Sequence, residues 1–572
     1  MPLNSQYEPV QIPSVDLWAF LFDQRRSFPD EKVIYANSEN KRQYTWSDTR
    51  ASALDFGATL QTLWDWKKGD VLALFSANCI DSPAIVLGAL WAGGTVSPAN
   101  PAYTVEELAF QLKDSNAKAL VAQLAHLDVS IQAARSVGLP EDRILLIGDD
   151  LDPTGTFRHF SLYRDMRFRY PQCQKPVLNP KVDLALLVYS SGTTGRPKAV
   201  MLSHENLIAN QLQIQATDEG NLHPTGGYDG QGDKILAVVP YYHVYGFSLL
   251  ILMPVYRGFT TIVMSKFHLE GFLSSIQSFR PTYALLVPPI VLQLAKSSLV
   301  GSYDISSLEM VMCGAAPLTR ELIAELYQKC KITVRQVYGL SETSPVALVQ
   351  VRDFHSRYMK IAHHLQRWHN CRESPGSVGT LLPNMNAKFC DEEGAEISPG
   401  QTGELHLKGP NVFLGYLKNQ EGTSSCLAGD GWFRTGDIGH VEHENFYITD
   451  RAKELIKYNG FQVAPAELEG ILLDHPNIVD AAVVGVYSKQ HVSELPRAYV
   501  VLASSVSKTQ DEARNIASWF ETRVAPYKRL RGDVHFIDEI PRNPSGKILR
   551  RVIRDRMSKD QELGREIGGP KL

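Results

Sequence analysis

From Asp70 onward, short apolar runs alternate with helical patterns: Val71 to Phe75 then Pro83 to Ala92, Ala117 to Ala122 then Ser130 to Val137, then Arg143 to Gly148. Such runs read as strands buried on both faces, and buried strands separated by helices assemble into parallel sheets. A second series has strands expected at Leu184 to Tyr189, Ile235 to Val239, Thr260 to Met264, Tyr283 to Val287, Met310 to Cys313 and Val334 to Tyr338, with helix-like stretches such as Leu318 to Lys329 between them. The rhythm predicts two parallel-sheet layers with covering helices, an α/β fold. At 572 residues the chain is also several times the ~150-residue domain norm, so more than one core is expected.

The pattern changes twice. From Gly376 to about Asp450, short alternating segments punctuated by Gly and Pro, such as Gly403-Glu-Leu-His-Leu-Lys-Gly409, predict an antiparallel β subdomain. After the charged turn Arg451-Ala-Lys-Glu454, helices (Pro465 to Leu473, Glu512 to Val524, Lys547 to Arg556) alternate with strands (Ala481 to Val486, Ala498 to Leu502, Val534 to Ile537), as in a separate small α+β domain. The expected division is 1–450 for the large domain and 451–572 for the small one.

Composition excludes several classes. With 58 Lys plus Arg against 62 Asp plus Glu, a net charge of −4, no strong basic balance of the whole chain draws nucleic acid or anionic membrane. The seven cysteines are scattered with no CxxC pair, unlike a disulfide framework or zinc ribbon, and suit a reducing interior. Met1 to Asp16 shows no secretory signal. Ile235 to Tyr256 lacks Asp, Glu, Lys and Arg, yet Pro240, Gly246 and Pro254 interrupt it, so a buried strand, loop and helix are expected there and no transmembrane segment.

Directly after the strand ending at Tyr189 comes Ser190-Ser191-Gly192-Thr193-Thr194-Gly195-Arg-Pro-Lys198. The glycines let backbone N–H groups approach an anion, four hydroxyls can donate to phosphate oxygens and Lys198 supplies charge: a triphosphate cradle. It is not a P-loop, because two residues rather than four separate the glycines and Arg-Pro precedes the lysine.

This loop resembles the signature of the adenylate-forming (AMP-binding) acyl-CoA synthetase superfamily, and its flanks look most like the 4-coumarate:CoA ligase branch. Matching blocks follow in family order: Cys313-Gly-Ala-Ala-Pro317, Gln336-Val-Tyr-Gly-Leu-Ser-Glu-Thr343, Gly403-Glu-Leu405 with Gly409-Pro410, Gly431-Trp-Phe-Arg-Thr-Gly-Asp437, Asp450-Arg-Ala-Lys-Glu-Leu-Ile-Lys457 and Pro544-Ser-Gly-Lys-Ile-Leu-Arg550. The resemblance spans about Leu17 to Arg556. It implies an acid:CoA ligase that uses ATP and Mg²⁺ to join a carboxylic acid to AMP, then passes the acyl group to coenzyme A. The small domain is then a mobile cap.

By position, the resemblance gives Glu342 the metal and Ser341 the α-phosphate contact. Asp437 holds the ribose hydroxyls, a task for an acceptor with two oxygens, with Arg451 assisting. Tyr338 stacks on adenine beside the small Ala315-Ala316 turn, with Gln336 completing that pocket. Lys547 reaches the carboxylate and α-phosphate in the first half-reaction. Lys453 is the hinge, Lys457, Gly460 and Gln462 line the thioester-forming arrangement, and Lys266 is a candidate for the CoA phosphates.

His243 stands where amino-acid-activating relatives commonly carry an aspartate for the substrate ammonium. With Tyr245, Val337, Pro345 and Val346, it predicts an apolar pocket for an aryl, arylalkenyl or medium-chain acid. Val337 replaces the usual glycine and narrows that pocket, while Asn459 replaces a usual lysine. His355, His363, His364 and His369 match no metal-ligand spacing. The terminal Pro570-Lys571-Leu572 is similar to the peroxisomal Ser-Lys-Leu address, giving an import receptor as expected partner and the cytoplasm otherwise. Loading of a carrier-protein thiol, a luciferase-like oxygenase and a degenerate adenylate-binding protein stay open as alternatives.

Overall fold

The structure is a computed structural model that describes residues 2–190, 197–218, 222–227, 229–316, 318–350, 376–451, 454–458, 461–488, 493–543 and 546–555. Two large sheets form the body. One has six strands in the order Ile144–Ile147, Ala117–Gln123, Val71–Phe75, Thr95–Ala99, Leu184–Ser190 and Lys198–Ser203, parallel but for the last. The other has nine: Thr380–Leu381, Val346–Val349, Thr333–Gly339, Met310–Cys313, Tyr283–Leu286, Lys234–Ala237, Thr260–Val263, Val33–Asn37 and Gln43–Thr45. Its central strands are parallel and its outer pairs antiparallel.

All the expected strands of the two series are present, with one regrouping. Leu184–Ser190 opens the second series in sequence, yet it lies beside Thr95–Ala99 in the first sheet, with Val96 facing Leu186. Its antiparallel partner Lys198–Ser203 returns from the Ser/Gly-rich loop and forms that sheet's edge. Val33–Asn37 and Gln43–Thr45 join the second sheet from far upstream, a long-range pairing that no local pattern announces.

Ile235 to Tyr256 resolves into the strand Lys234–Ala237, a loop and a buried helical run, Val244–Arg257, with a π-helical stretch at Phe247–Leu252 just before Pro254. No described helix is long and apolar enough to cross a membrane. The third sheet, Leu3–Asn4, Asn386–Cys390, Gly403–Lys408, Phe433–Glu442 and Asn445–Arg451, is wholly antiparallel.

One large hydrophobic core runs from Leu17 to Phe446, and a separate one occupies Ile456 to Val534. The second packs the helices Pro465–Leu473 and Gln510–Glu521 against Ile478–Ser488, Ser493–Leu502 and Val534–Phe536. Two glycines bring this cap onto the body. Gly546, at φ +81°, lies so close to Pro289 and Val287 that a Cβ would sit 3.1 to 3.4 Å from them, and one on Gly470 would sit 3.2 Å from Thr319.

Candidate active site

A cavity of about 480 Å³ opens where the body meets the cap. Much of its wall comes from residues just past the carboxyl ends of parallel strands: Val239 and Pro240, Val287, Gly314 and Ala315, and Leu340 to Glu342. Ligands of open α/β sheets bind at this edge, because the strands end there and the loops are free to vary. Ala315 takes φ +71°, a left-handed conformation that costs a residue with a Cβ of order 1 kcal/mol and keeps the wall turned tightly.

Four cationic side chains and two carboxylates line the cavity's polar half: Lys198, Arg434, Arg451 and Lys547 with Glu342 and Glu404, of which Arg434 and Glu404 pair with each other at 2.9 Å. Glu342 is buried in the turn Ser341–Thr343, and Tyr416 donates its hydroxyl to Oε1 at 2.7 Å. Lys198 Nζ sits 4.8 Å from the centre of the same tyrosine ring. Tyr416 thus ties the lysine and the carboxylate together. Sequence reasoning missed it, since a lone Gly-Tyr step has no charge pattern to mark it. Cys426 and Asn543 also line the cavity without having been anticipated.

Tyr338 ends the strand Thr333–Gly339 and lines the cavity, its hydroxyl donating to Asp437 Oδ2 at 2.6 Å, while Arg451 Nε lies 3.1 Å from Oδ1. Each oxygen of Asp437 thus has a partner and keeps lone-pair capacity for a further donor, though the carboxylate is not among the residues that line the cavity. Burial raises the Asp437 carboxyl above its ordinary range, against the pull of Arg451.

Lys547 is the cap's contribution. Its backbone N–H donates to Asn543 Oδ1 at 2.8 Å and Arg542 donates to Gly546 O, so the lysine's loop is braced from below. Burial pulls the ammonium down to about 8, and the nearby Arg451 guanidinium adds to the fall against the opposing pull of Glu454 and Asp437.

The other half is apolar, walled by Val239, Pro240, Val244, Val287, Val337, Pro345 and Val346. Val337 carries a Cγ atom 2.8 Å from where a Cβ on Gly314 would be, so that glycine makes room for the valine. The Tyr245 hydroxyl is spent on Met312 O at 3.1 Å. His243 Nε2 is buried with no hydrogen-bond partner among the described residues, and burial pushes the imidazole down to about 4, so the ring is neutral at pH 7.

Of the remaining expected residues, Ser190 and Ser341 line the cavity. Gln336 does not: it is buried one residue behind the wall, donating to Ser377 O at 3.0 Å. Ala316 likewise stands off the lining, which Ala315 supplies. Lys266 is exposed and outside the cavity. Lys457 is exposed as well, on the strand Ile456–Tyr458, where it pairs in register with Gln462 and its N–H donates to Glu494. Ser191, Gly192, Thr193, Thr194, Gly195, Lys453, Gly460, the four histidines from His355 to His369 and Pro570-Lys571-Leu572 lie outside the described residues.

The profile of the AMP-binding enzyme family matches residues 21–417 and that of the AMP-binding enzyme C-terminal domain matches 467–547. The chain belongs to the AMP-binding enzyme family. It is an enzyme of the AMP-forming acyl-CoA synthetase class. Probable 4-coumarate–CoA ligase 2 of Dictyostelium discoideum is 35% identical over 569 residues, covering 96% of this chain and 97% of its own. The 4-coumarate–CoA ligase of Pinus taeda is 34% identical, covering 95% of each.

Among solved structures, ATP-bound MatB from Rhodopseudomonas palustris is 25% identical with a TM-score of 0.77, over 95% of this chain and 99% of its own. The fold is shared with the anthranilate CoA ligase AuaEII in complex with anthranoyl-AMP, at 21% identity and a TM-score of 0.82, over 97% and 99%. These neighbours also have a large body with a small C-terminal domain.

Proposed function

We propose that the chain activates an apolar monocarboxylic acid, of aryl, arylalkenyl or medium-chain type, as an acyl-adenylate and transfers the acyl group to coenzyme A. The observation that carries this reading is a single cavity with a cationic half built by body and cap together and an apolar half without a charged group. A carboxylate is a poor acylating agent, because its leaving group is oxide. Joined to phosphate, its leaving group becomes AMP. Carboxylate and triphosphate repel, so the two must be held together by positive charge placed in advance.

Lys547, Lys198 and Arg451 supply that charge, and the apolar half orients the acid's tail. With His243 neutral and the Tyr245 hydroxyl already bonded, a substrate ammonium or second carboxylate has no counter-ion there, which favours tails that are uncharged. Mg²⁺ suits the same site. Magnesium commonly takes one or two protein carboxylates and completes its shell with phosphate oxygens and water. Glu342 offers one carboxylate, with Oε2 unbonded among the described residues. When bound with ATP, the ion would neutralise phosphate charge.

A pyrophosphate-release screen over aryl, cinnamic and C6 to C12 acids, with and without CoA, tests the reading. Release that depends on an apolar acid, with AMP formation accelerated by CoA, is expected. No adenylate from any acid defeats it, and adenylate that CoA never discharges points to a carrier thiol instead.

Val337→Gly removes the side chain packed over Gly314 and opens the apolar half. It is expected to raise kcat/KM for the bulkiest accepted acid, and to lower it for the smallest by about 10-fold, the loss typical of a few apolar contacts. Kinetics across an acid series check the crossover.

The depressed Lys547 ammonium makes the first half-reaction sensitive to alkali. The protonated form is needed, so kcat/KM for ATP–pyrophosphate exchange should fall as pH rises through about 8, well below the usual lysine range. Lys547→Arg keeps its charge and should shift this limb upward, whatever its absolute rate.

A further inference from the structure

Between the strands Ile144–Ile147 and Leu184–Ser190 the chain crosses the outer surface of the body. In the stretch Arg158-His-Phe-Ser-Leu-Tyr-Arg-Asp-Met-Arg-Phe-Arg169, four arginines face one aspartate, in a chain whose net charge is −4. Phe160 and Met166 are buried and pin the segment to the body. Leu162 and Phe168 instead point out, 67% and 69% exposed. They are six positions apart, so their Cα atoms lie within ~20 Å of each other however the chain is drawn.

The charges around them are arranged for an outside partner. Arg167 is bound to Asp55 at 2.6 Å, and its guanidinium lies 4.3 Å from the centre of the Phe168 ring, which holds the ring in place. Arg164 and Arg169 are exposed, as is Arg158, whose guanidinium makes a long 3.5 Å hydrogen bond to the Tyr163 hydroxyl. Two large apolar side chains set among three outward guanidinium groups match a lipid surface: the apolar groups enter the acyl boundary while the arginines meet phosphate headgroups.

We propose that residues 158–169 form a docking surface by which the protein associates reversibly with anionic bilayers. The occupant is lipid because two copies meeting face to face through this surface would set three guanidinium groups against three more, whereas anionic headgroups complement them, and because neither Leu162 nor Phe168 lines a described cavity. None of these residues lines the active-site cavity, so the inference stands apart from the proposed reaction.

Flotation of the full chain with phosphatidylcholine vesicles, with and without phosphatidylserine, tests it. Binding is expected only with phosphatidylserine and should weaken as salt rises. Leu162→Ser with Phe168→Ser should lower the partition coefficient on the order of 10-fold or more. Arg158→Glu, Arg164→Glu and Arg169→Glu together should lower it by a similar factor or abolish binding. Both variants should keep the parent's ATP–pyrophosphate exchange, which reports an intact body. Absence of wild-type binding to anionic vesicles overturns the proposal, as does equal binding by wild type and both variants. Self-association of the wild type that Leu162→Ser with Phe168→Ser removes, without any vesicle binding, would assign the surface to a second copy instead.

Discussion

Lys547→Ala is expected to lower acid-dependent ATP–pyrophosphate exchange by about 10²- to 10³-fold, the usual loss when one preplaced electrostatic stabiliser is removed from a water-poor site. The same variant should convert supplied acyl-AMP and CoA to thioester at close to the parent rate. Lys457→Ala should do the reverse. The asymmetry comes from where the cap places its two lysines: Lys547 lines the cavity, whereas Lys457 lies exposed on a strand of the same small domain. Both cannot face one adenylate at once. A cap that turns after pyrophosphate leaves would exchange them, with the Arg451-to-Glu454 turn between the two cores as the natural pivot. The close approach of Gly546 to Pro289 and Val287 is part of the arrangement that presents Lys547, so Gly546→Ala, strained at φ +81°, should weaken exchange selectively as well. Equal loss of both half-reactions in Lys547→Ala and in Lys457→Ala defeats the two-face account.

What the sequence made legible follows from how local each signal is. The parallel strands were readable because strands buried on both faces are continuous apolar runs, and Val71–Phe75 and Met310–Cys313 carry no charge at all. The turn bearing Glu342 could be placed because it follows such a strand directly. Cross-chain relations were not readable. Tyr416 reaches Glu342 across 74 positions, and Tyr338 reaches Asp437 across 99. Only the folded chain brings them together, so nothing in the sequence shows that the Tyr338 hydroxyl is bonded to Asp437. The cavity wall takes up Val337 to Glu342 in unbroken succession, so the motif's first residue, Gln336, falls just outside it and is held by Ser377 instead. Lys457 and Lys547 could be singled out in the sequence, but that Lys547 lines the cavity while Lys457 is exposed is seen only in the folded chain.

Arg550 lies in the basic run that also holds Lys547, Arg551 and Arg554, yet it is 8% exposed and is the keystone of the cap. Its guanidinium donates to both oxygens of Glu469 at 2.7 and 2.8 Å, to Glu454 Oε2 at 2.7 Å and to Val483 O at 3.2 Å. Glu469 in turn accepts the Val483 N–H at 2.8 Å, so helix, strand and pivot turn are joined through one cation. Arg550→Met keeps much of the stem's packing and strands two carboxylates, a loss of about 3–5 kcal/mol for the cap, the range for breaking a buried ion pair from one side. Because the cap has its own core, the loss should appear as earlier unfolding or proteolysis of this domain while the body persists. The effect should depend on pH in a particular sense. Burial already holds the Glu469 carboxyl above its ordinary range despite Arg550, so without the cation it moves higher still. The folded variant then binds a proton the unfolded chain releases, and its stability falls as pH rises through that window. Arg550→Met should therefore be better tolerated at pH 5 than at pH 7, and adding Glu469→Gln should recover part of the neutral-pH loss. A deficit equal at both pH values, unrelieved by Glu469→Gln, would mean that packing rather than charge holds this corner of the cap together.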